Sequence, residues 1–422
     1  MFFLFEHRAT RAHGRANCSN RESKTDSVSL ITRQSEFQNL CEQIRSAGVV
    51  AFDTEFVSET FYRPRLCLLQ FALPDGNCFG VDPFLVEDLH PWWDIMADDS
   101  ITVVVHGGRE EIRFCQFATS RRPGALIDVQ IAEGLRSRGY PISHANLISR
   151  VLGRTLQHGK ETRTDWQYRP LTPQQLNYAL EDVRYLLEVW ETQRRSLSEE
   201  GRLNWAMAEI DRLIDGILAE EDREGWLRLP GYSRLSRREM AIAKMLYQWR
   251  NAEAERLNRP PRRILRDDLI IELAHRQPKS VHDMKMTRDL NRRDYQQYAD
   301  QFIEMIRQAS ELPTDQLPVK PHGGAHPAQD EVLARILGLA LANQCQELGL
   351  SMTLVATSAD LKEFIRWHIF DKRQSPLPKL MTGWRADVCG QLLADVLDGN
   401  VTLRVTDPTS EYPLQFVRGD NE

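Results

Sequence analysis

Four apolar runs, VVAF, LCLLQFAL, CFGV and ITVVV, fall in the first third of the chain and are separated by turn chemistry such as LPDGN at 73–77. Runs of that length punctuated by Gly, Pro and Asn predict strands. LPDGN is short enough to join antiparallel neighbours, whereas Phe84 to Ser100 leaves room for a crossover helix, so a mixed sheet is expected. From about Thr172 a helical period takes over. TPQQLNYALEDVRYLLEVW places Leu176, Leu180, Val183 and Leu187 on one stripe, with Thr172 as N-cap, Pro173 at the first helical position and Gln175 three after the cap. Tyr178 and Asp182, four residues apart, share roughly the opposite face. Helical pattern returns over Ser236 to Ala309. The segment LPTDQLPVKPHGGAHPAQ at 312–329 has no apolar period and reads as a linker, and the stretch from 330 is again mostly helical before a polar tail.

A chain of 422 residues is too long for one ordinary core, so several domains are expected. With 41% hydrophobic and 27% charged residues and no apolar run near the roughly 18 residues of a membrane span, insertion in a bilayer is not expected. The N-terminal apolar stretch stops at Phe5, short of the roughly 7 to 15 residues of a secretory signal, and residues 1–28 read as a disordered tail. The seven cysteines (18, 41, 67, 78, 115, 345 and 389) are scattered and never form CxxC, which argues against a disulfide framework or a zinc knuckle and fits a reducing cytoplasm. Net charge is −6, yet Gly231 to Ile270 carries ten Lys or Arg against five acids. That local basic excess suits contact with nucleic acid, and a solvated basic face accounts for it equally.

Within AFDTEF, side-chain alternation puts Asp53 and Glu55 on the same side of a strand, about 7 Å apart, with Phe52 and Phe56 on the other. Two such acids repel and are costly to desolvate, so cations, from protein or metal, are their expected neighbours. A strand end with solvated acids is the plainer alternative. Similarly, Tyr178 with Asp182 could be a surface pair on an amphipathic helix. Glu110 and Glu111, after the strand and HGG turn of ITVVVHGGREEIRF, could be ordinary first-turn dipole partners.

Taken together, FDTEF, HGGREEIRF and YALED resemble the three exonuclease motifs of the DEDD superfamily of 3′-5′ exonucleases, Tyr-containing subclass, and the resemblance is nearest to ribonuclease D. IDVQIAEGL and GKETRTDWQYRPLTPQQLNYALEDVRYLL are similar to longer runs of that family, which extends the resemblance over about 29–195. LSRREMAIAKMLYQWRNAEAERLNRPPRRILRDDLIIELA resembles a helicase and ribonuclease D C-terminal (HRDC) domain, and LPKLMTGWRADVCGQLLADVLDG resembles a second, diverged module. The implied architecture is an α/β ribonuclease H-like exonuclease domain with a mixed sheet, followed by two all-α HRDC-type modules. Its expected divisions are a tail at 1–28, the exonuclease domain with a connecting helix at 29–222, HRDC at 226–311, a linker at 312–329, a second helical module at 330–408 and a tail at 409–422.

The resemblance implies hydrolysis assisted by two divalent ions, Mg²⁺ or Mn²⁺, with Asp53, Glu55, Glu111 and Asp182 as ligands and Tyr178 orienting the attacking water. An ordinary phenol titrates near 10 and is therefore a better positioner than base at neutral pH. Where the family pattern has aspartate in the second motif this chain has Glu111, about 1.5 Å longer in reach; Glu110 points about 100° away on the helix. The implied partner is RNA, tRNA precursors above all, with no obligate protein partner. Candidate RNA contacts are Phe56, Arg163, Arg262 and Arg263, alongside Phe61, Tyr62, Trp166, Lys160 and Arg169; the aromatics are equally core candidates, and Glu161 and Asp165 are alternative ion-pair partners for the cations. Two other functions remain in play at this level: a Werner-type 3′-5′ DNA exonuclease, and an RNA-binding pseudonuclease disabled at Glu111.

Overall fold

The computed structural model describes residues 29–156, 164–222, 225–287, 289–319, 328–371 and 374–418. The expected tail at 1–28, Lys160, Glu161 and Arg163 lie outside them. The apolar runs become strands of one sheet: β1 (Ser29–Ile31), β2 (Val49–Val57), β3 (Arg65–Ala72), β4 (Cys78–Val81), β5 (Thr102–Val105) and β6 (Leu126–Asp128), in the order β1-β4-β3-β2-β5-β6. The pairs β2/β3 and β3/β4 are antiparallel and the other three parallel, so the sheet is mixed as expected, and LPDGN makes the β3/β4 hairpin.

Helix α1 (Gln34–Ala47) precedes β2, and α2 (His90–Met96) fills the crossover. Trp92 of α2 packs against Phe52 and Phe71 from one sheet face, tilted to the first ring at 4.5 Å and edge-on to the second at 4.7 Å. Then come α3 (Arg109–Thr119), α4 (Val129–Gly134), α5 (His144–Leu152), α6 (Pro173–Arg184), α7 (Leu186–Glu199) and α8 (Leu203–Asp222). Helix α6 covers the other face, where Leu176, Ala179 and Leu180 pack on Cys67 and Leu68. It sits so close to β4 that a Cβ on Gly80 would come within 2.7 Å of Leu176 Cδ1.

Thr172 and Gln175 form the expected capping box. The helix expected to run to Trp190 instead breaks at Tyr185, where α6 ends and α7 begins, and the one-residue offset makes Leu186, not Leu187, the buried position. No helix among the described residues is long and apolar enough to cross a membrane.

The HRDC region folds around its own core. Its helices are α9 (Arg237–Arg256), α10 (Pro261–Ile264), α11 (Asp267–Arg276), α12 (Val281–Lys285), α13 (Arg293–Gln296) and α14 (Ala299–Glu311), preceded by short 3₁₀ turns at Gly225–Arg228 and Tyr232–Arg234. The structure assigns the start of the expected linker to this unit: Leu317 is buried in its core, and Arg237 donates to the carbonyls of Thr314, Leu317 and Pro318.

The C-terminal module contains α15 (Ala328–Leu348), α16 (Met352–Val355), α17 (Ser358–Ile365), α18 (Gly383–Arg385) and α19 (Gln391–Leu397). Its apolar residues join the same core as the exonuclease sheet, so the free interdomain geometry that a linker allows does not apply to it. Trp384 stacks on Trp205 of α8 at 5.6 Å and 18°, and buried Arg385 reaches Glu209 Oε2 at 2.7 Å. Its end departs from expectation. Residues assigned to a helical end and a tail form an antiparallel hairpin, β7 (Val401–Val405) with β8 (Leu414–Arg418), because VTLRV and LQFVR both carry β-branched or aromatic residues around a Pro- and Ser-containing turn.

Candidate active site

Strand β5 pairs with β2 only from Val49 to Ala51. From Phe52 onward that edge of β2 is open, and the first turn of α3 fills the gap. Thr54 Oγ1 donates to Glu111 Oε1 at 2.5 Å, which seats the second-motif acid beside the first-motif strand. Glu111 is 5% exposed, whereas Glu110 turns aside to pair with Arg113, so Glu111 is the acid of the two that faces β2.

The turn that aims α3 is held from behind. Asp128, 2% exposed, accepts from the backbone N–H of Gly107 at 3.1 Å, Gly108 at 3.2 Å and Gln130 at 2.9 Å. Gly107 has φ +69°, a backbone conformation that side chains rarely adopt, and a Cβ on Gly108 would fall 2.4 Å from Val105 Cγ2, so the first glycine of the HGG turn is required for its backbone and the second for its size. Sequence reasoning missed Asp128, although an Asp at the end of an apolar run and before VQIA is a legible N-cap.

Helix α6 supplies Asp182 and Tyr178, with the Tyr178 ring 6.4 Å from that of Trp166. Trp166 is 5% exposed and belongs to the core under α6. Arg169 pairs with buried Asp82 at 2.6 Å and donates to the carbonyls of Cys67 and Trp166, so it fastens this loop and does not face a phosphate; the partners considered from sequence were Glu161 and Asp165. His144, at the start of α5, brings Nδ1 to 3.4 Å from Asp182 Oδ1. No motif in the sequence pointed to it.

Asp53 and Glu55 are raised by the other acids, and Glu111 and Asp182 by burial and by neighbours outside the four. Burial, then the charges of Glu111, Asp182 and Glu55, hold the Asp53 carboxyl well above the usual carboxylate range. Burial and the charges of Asp182 and Glu111 push Glu55 up to about 8. Burial raises Glu111 to about 7 despite the Thr54 hydrogen bond, and burial with the charge of Glu181 raises Asp182 to about 7. No Lys or Arg charge is among these causes. As they stand, no three His, Cys, Asp or Glu side chains among the described residues converge closely enough to hold an ion. The donor chemistry nevertheless fits hard divalent ions: carboxylates half-buried at Asp53, Glu55 and Asp182 and buried at Glu111, and, opposite Asp53 on β3, the fully buried Gln70 amide with no hydrogen-bond partner among the described residues.

A pH dependence follows. Because these carboxyls bind protons more tightly folded than unfolded, the metal-free fold holds extra protons between about pH 4 and 8, and the cluster's contribution to stability falls as pH rises through that window. Thermal melts in chelator should show the melting temperature declining from about pH 5 to 8, with added Mg²⁺ or Mn²⁺ raising it most at the alkaline end. A pH-independent effect of metal would contradict the cluster as its site.

The other candidates scatter. Phe56 packs edge-on against Phe114 at 6.0 Å and lines the core. Phe61 lies under the Arg65 guanidinium, and the Tyr62 backbone N–H is bonded to Asn258 of the HRDC unit at 3.2 Å. Arg262 and Arg263 are exposed on that unit, distant in sequence from the acids.

A family model described as a 3′-5′ exonuclease matches residues 28–197, the span that carries this sheet and these acids, and an HRDC model matches 239–306. The chain is 32% identical to ribonuclease D of Bartonella henselae over 378 residues, covering 89% of this chain and 91% of that one. It is 30% identical to ribonuclease D of Granulibacter bethesdensis over 390 residues, 91% and 96% of the two chains. Among solved structures it matches Escherichia coli ribonuclease D, described as an exoribonuclease involved in structured RNA processing, with a TM-score of 0.77, 26% identity and coverage of 88% and 98%. The protein belongs to the ribonuclease D family, and is a 3′-5′ exoribonuclease. Exonucleases of this family depend on metal.

Proposed function

We propose that the protein trims the 3′ ends of structured RNA, tRNA precursors foremost, releasing nucleoside 5′-monophosphates, with Asp53, Glu55, Glu111 and Asp182 holding two divalent ions, Mg²⁺ or Mn²⁺. The observation that carries this reading is the meeting of the motif acids: Asp53 and Glu55 lie on β2 with Thr54 between them donating to buried Glu111, and the charge of Asp182 from α6 raises both Asp53 and Glu55. Bound there, such ions supply an activated water and charge stabilisation for the departing 3′ oxygen. The chain's own part is placement. Strand β2 fixes Asp53 and Glu55 on one face, Thr54 holds Glu111, and α6 presents Tyr178 one turn before Asp182, where its phenol orients the water. Ribonuclease D relatives favour RNA over DNA as the substrate, against the Werner-type alternative.

The glutamate in the second motif is matched to its setting, since its extra length is what reaches Thr54. Glu111→Asp should therefore lower activity by about 10- to 100-fold rather than improve it. The test is digestion of a 5′-labelled, 3′-extended tRNA precursor with Mg²⁺ or Mn²⁺. Stepwise shortening by the parent that slows in Glu111→Asp supports the proposal. An inert parent rescued by Glu111→Asp would instead mean a disabled nuclease.

A further inference from the structure

Strand β3 carries a glutamine among apolar neighbours. Gln70 is fully buried between Leu69 and Phe71, and neither its amide nitrogen nor its amide oxygen has a hydrogen-bond partner among the described residues. An amide desolvated without a partner is destabilising, so a partner is expected in some working state of the protein. In the sequence it passes as part of the apolar run LCLLQFAL, outside the three acidic motifs.

The surroundings narrow the choice of partner. The β2/β3 register sets Gln70 directly opposite Asp53, so the two side chains leave the sheet side by side on one face, about 4.5 to 5.5 Å apart at Cβ and within reach of each other. On the other flank β4 presents Gly80, which has no side chain to offer. Over this face lies the apolar stripe of α6, with Leu176 Cδ1 2.7 Å from where a Gly80 Cβ would stand. Asp82, just past β4, is already held by Arg169 and by the Phe84 N–H. Glu55 stands opposite Leu68, one step further along β2, which leaves Asp53 as the adjacent polar side chain. Glu111 has a side-chain donor of its own, the Thr54 hydroxyl at 2.5 Å. Carboxylates that ligate metals are as a rule held by such a hydrogen bond, which fixes their orientation. We propose that Gln70 is the positioning residue for Asp53: with divalent ions in the site, its Nε2–H donates to the Asp53 carboxylate and fixes its orientation. The proposal rests on the reading of Asp53 as a metal ligand and adds to it a residue from β3.

Binding of Mn²⁺ to the full chain without RNA, followed by loss of the free-ion signal in electron paramagnetic resonance, tests it apart from catalysis. Gln70→Met, unbranched and of similar length, should bind Mn²⁺ about 10- to 100-fold more weakly than the parent. In chelator it should melt at or above the parent temperature, since it removes an unpartnered amide, and added Mn²⁺ should raise its melting temperature less. Gln70→Glu keeps an oxygen at the same reach and loses the N–H donor, so it should weaken binding as well. A merely structural amide predicts a different pattern, a lower melting temperature with Mn²⁺ affinity unchanged, and that result would overturn the proposal. So would Gln70→Glu binding Mn²⁺ as tightly as the parent, which would make the amide oxygen a ligand instead. Asp53→Asn separates this proposal from the reading it rests on. If that variant loses Mn²⁺ while Gln70→Met keeps it, the metal site stands and the role of Gln70 falls; if the parent and Asp53→Asn bind alike, both fall.

Discussion

Asp53→Asn should abolish hydrolysis, by roughly 10³-fold or more, and at the same time make the metal-free protein more stable. The first effect follows from the site: Asp53 stands among three other carboxylates and is the group on which all their charges act. The second follows from the same crowding. Near pH 8 the parent must keep buried, mutually repelling carboxyls either charged or protonated at a cost, and an amide of the same shape removes one of them, a gain of about 1 to 3 kcal/mol. Melts in chelator at about pH 8, run beside the precursor digestion, check both halves. A variant that melts below the parent, or still shortens RNA, would show that Asp53 is not strained for the sake of metal.

The second large effect is expected far from the acids. Arg385, 3% exposed, donates to the carbonyls of Leu354 and Val355 at 2.8 Å and pairs with Glu209, itself 1% exposed, on α8. Burial pushes the Glu209 carboxyl up, and hydrogen bonds from Arg212 and Arg385 more than reverse this, leaving it below its ordinary value. Arg385→Met would leave two carbonyls and part of a buried carboxylate unanswered, costing about 3 to 5 kcal/mol. The loss should be local. Amide hydrogen exchange is expected to quicken in α15, α16 and the facing part of α8 while the HRDC helices, with their separate core, keep their protection. Uniform exchange across all three units, or none, would contradict the shared core.

What the sequence made legible was local. Strand alternation put Asp53 and Glu55 on one side, helix spacing put Tyr178 and Asp182 on one face, the family resemblance pointed to Glu111, and Thr172 with Gln175 announced the start of α6. Each depends on a few neighbouring residues and a fixed period. Contacts between distant segments were not legible. Nothing near His144 in the sequence pairs it with Asp182; only the fold brings the start of α5 to that carboxylate. For Arg169 the sequence offers a phosphate or an ion pair with nearby Glu161 or Asp165, and the partner it takes, Asp82, lies 87 residues away. The C-terminal module read as a tethered appendage for the same reason: its apolar faces say that it packs, and only the fold says against what.

That shared core changes what kind of part the HRDC unit is. The chain departs from the core at α8 and rejoins it at α15, so HRDC is a link fastened at both ends rather than a bead on a string. A nick within the HRDC unit should therefore leave the C-terminal module attached to the exonuclease sheet, because what holds the two together is side-chain packing in one core and not the continuity of the backbone.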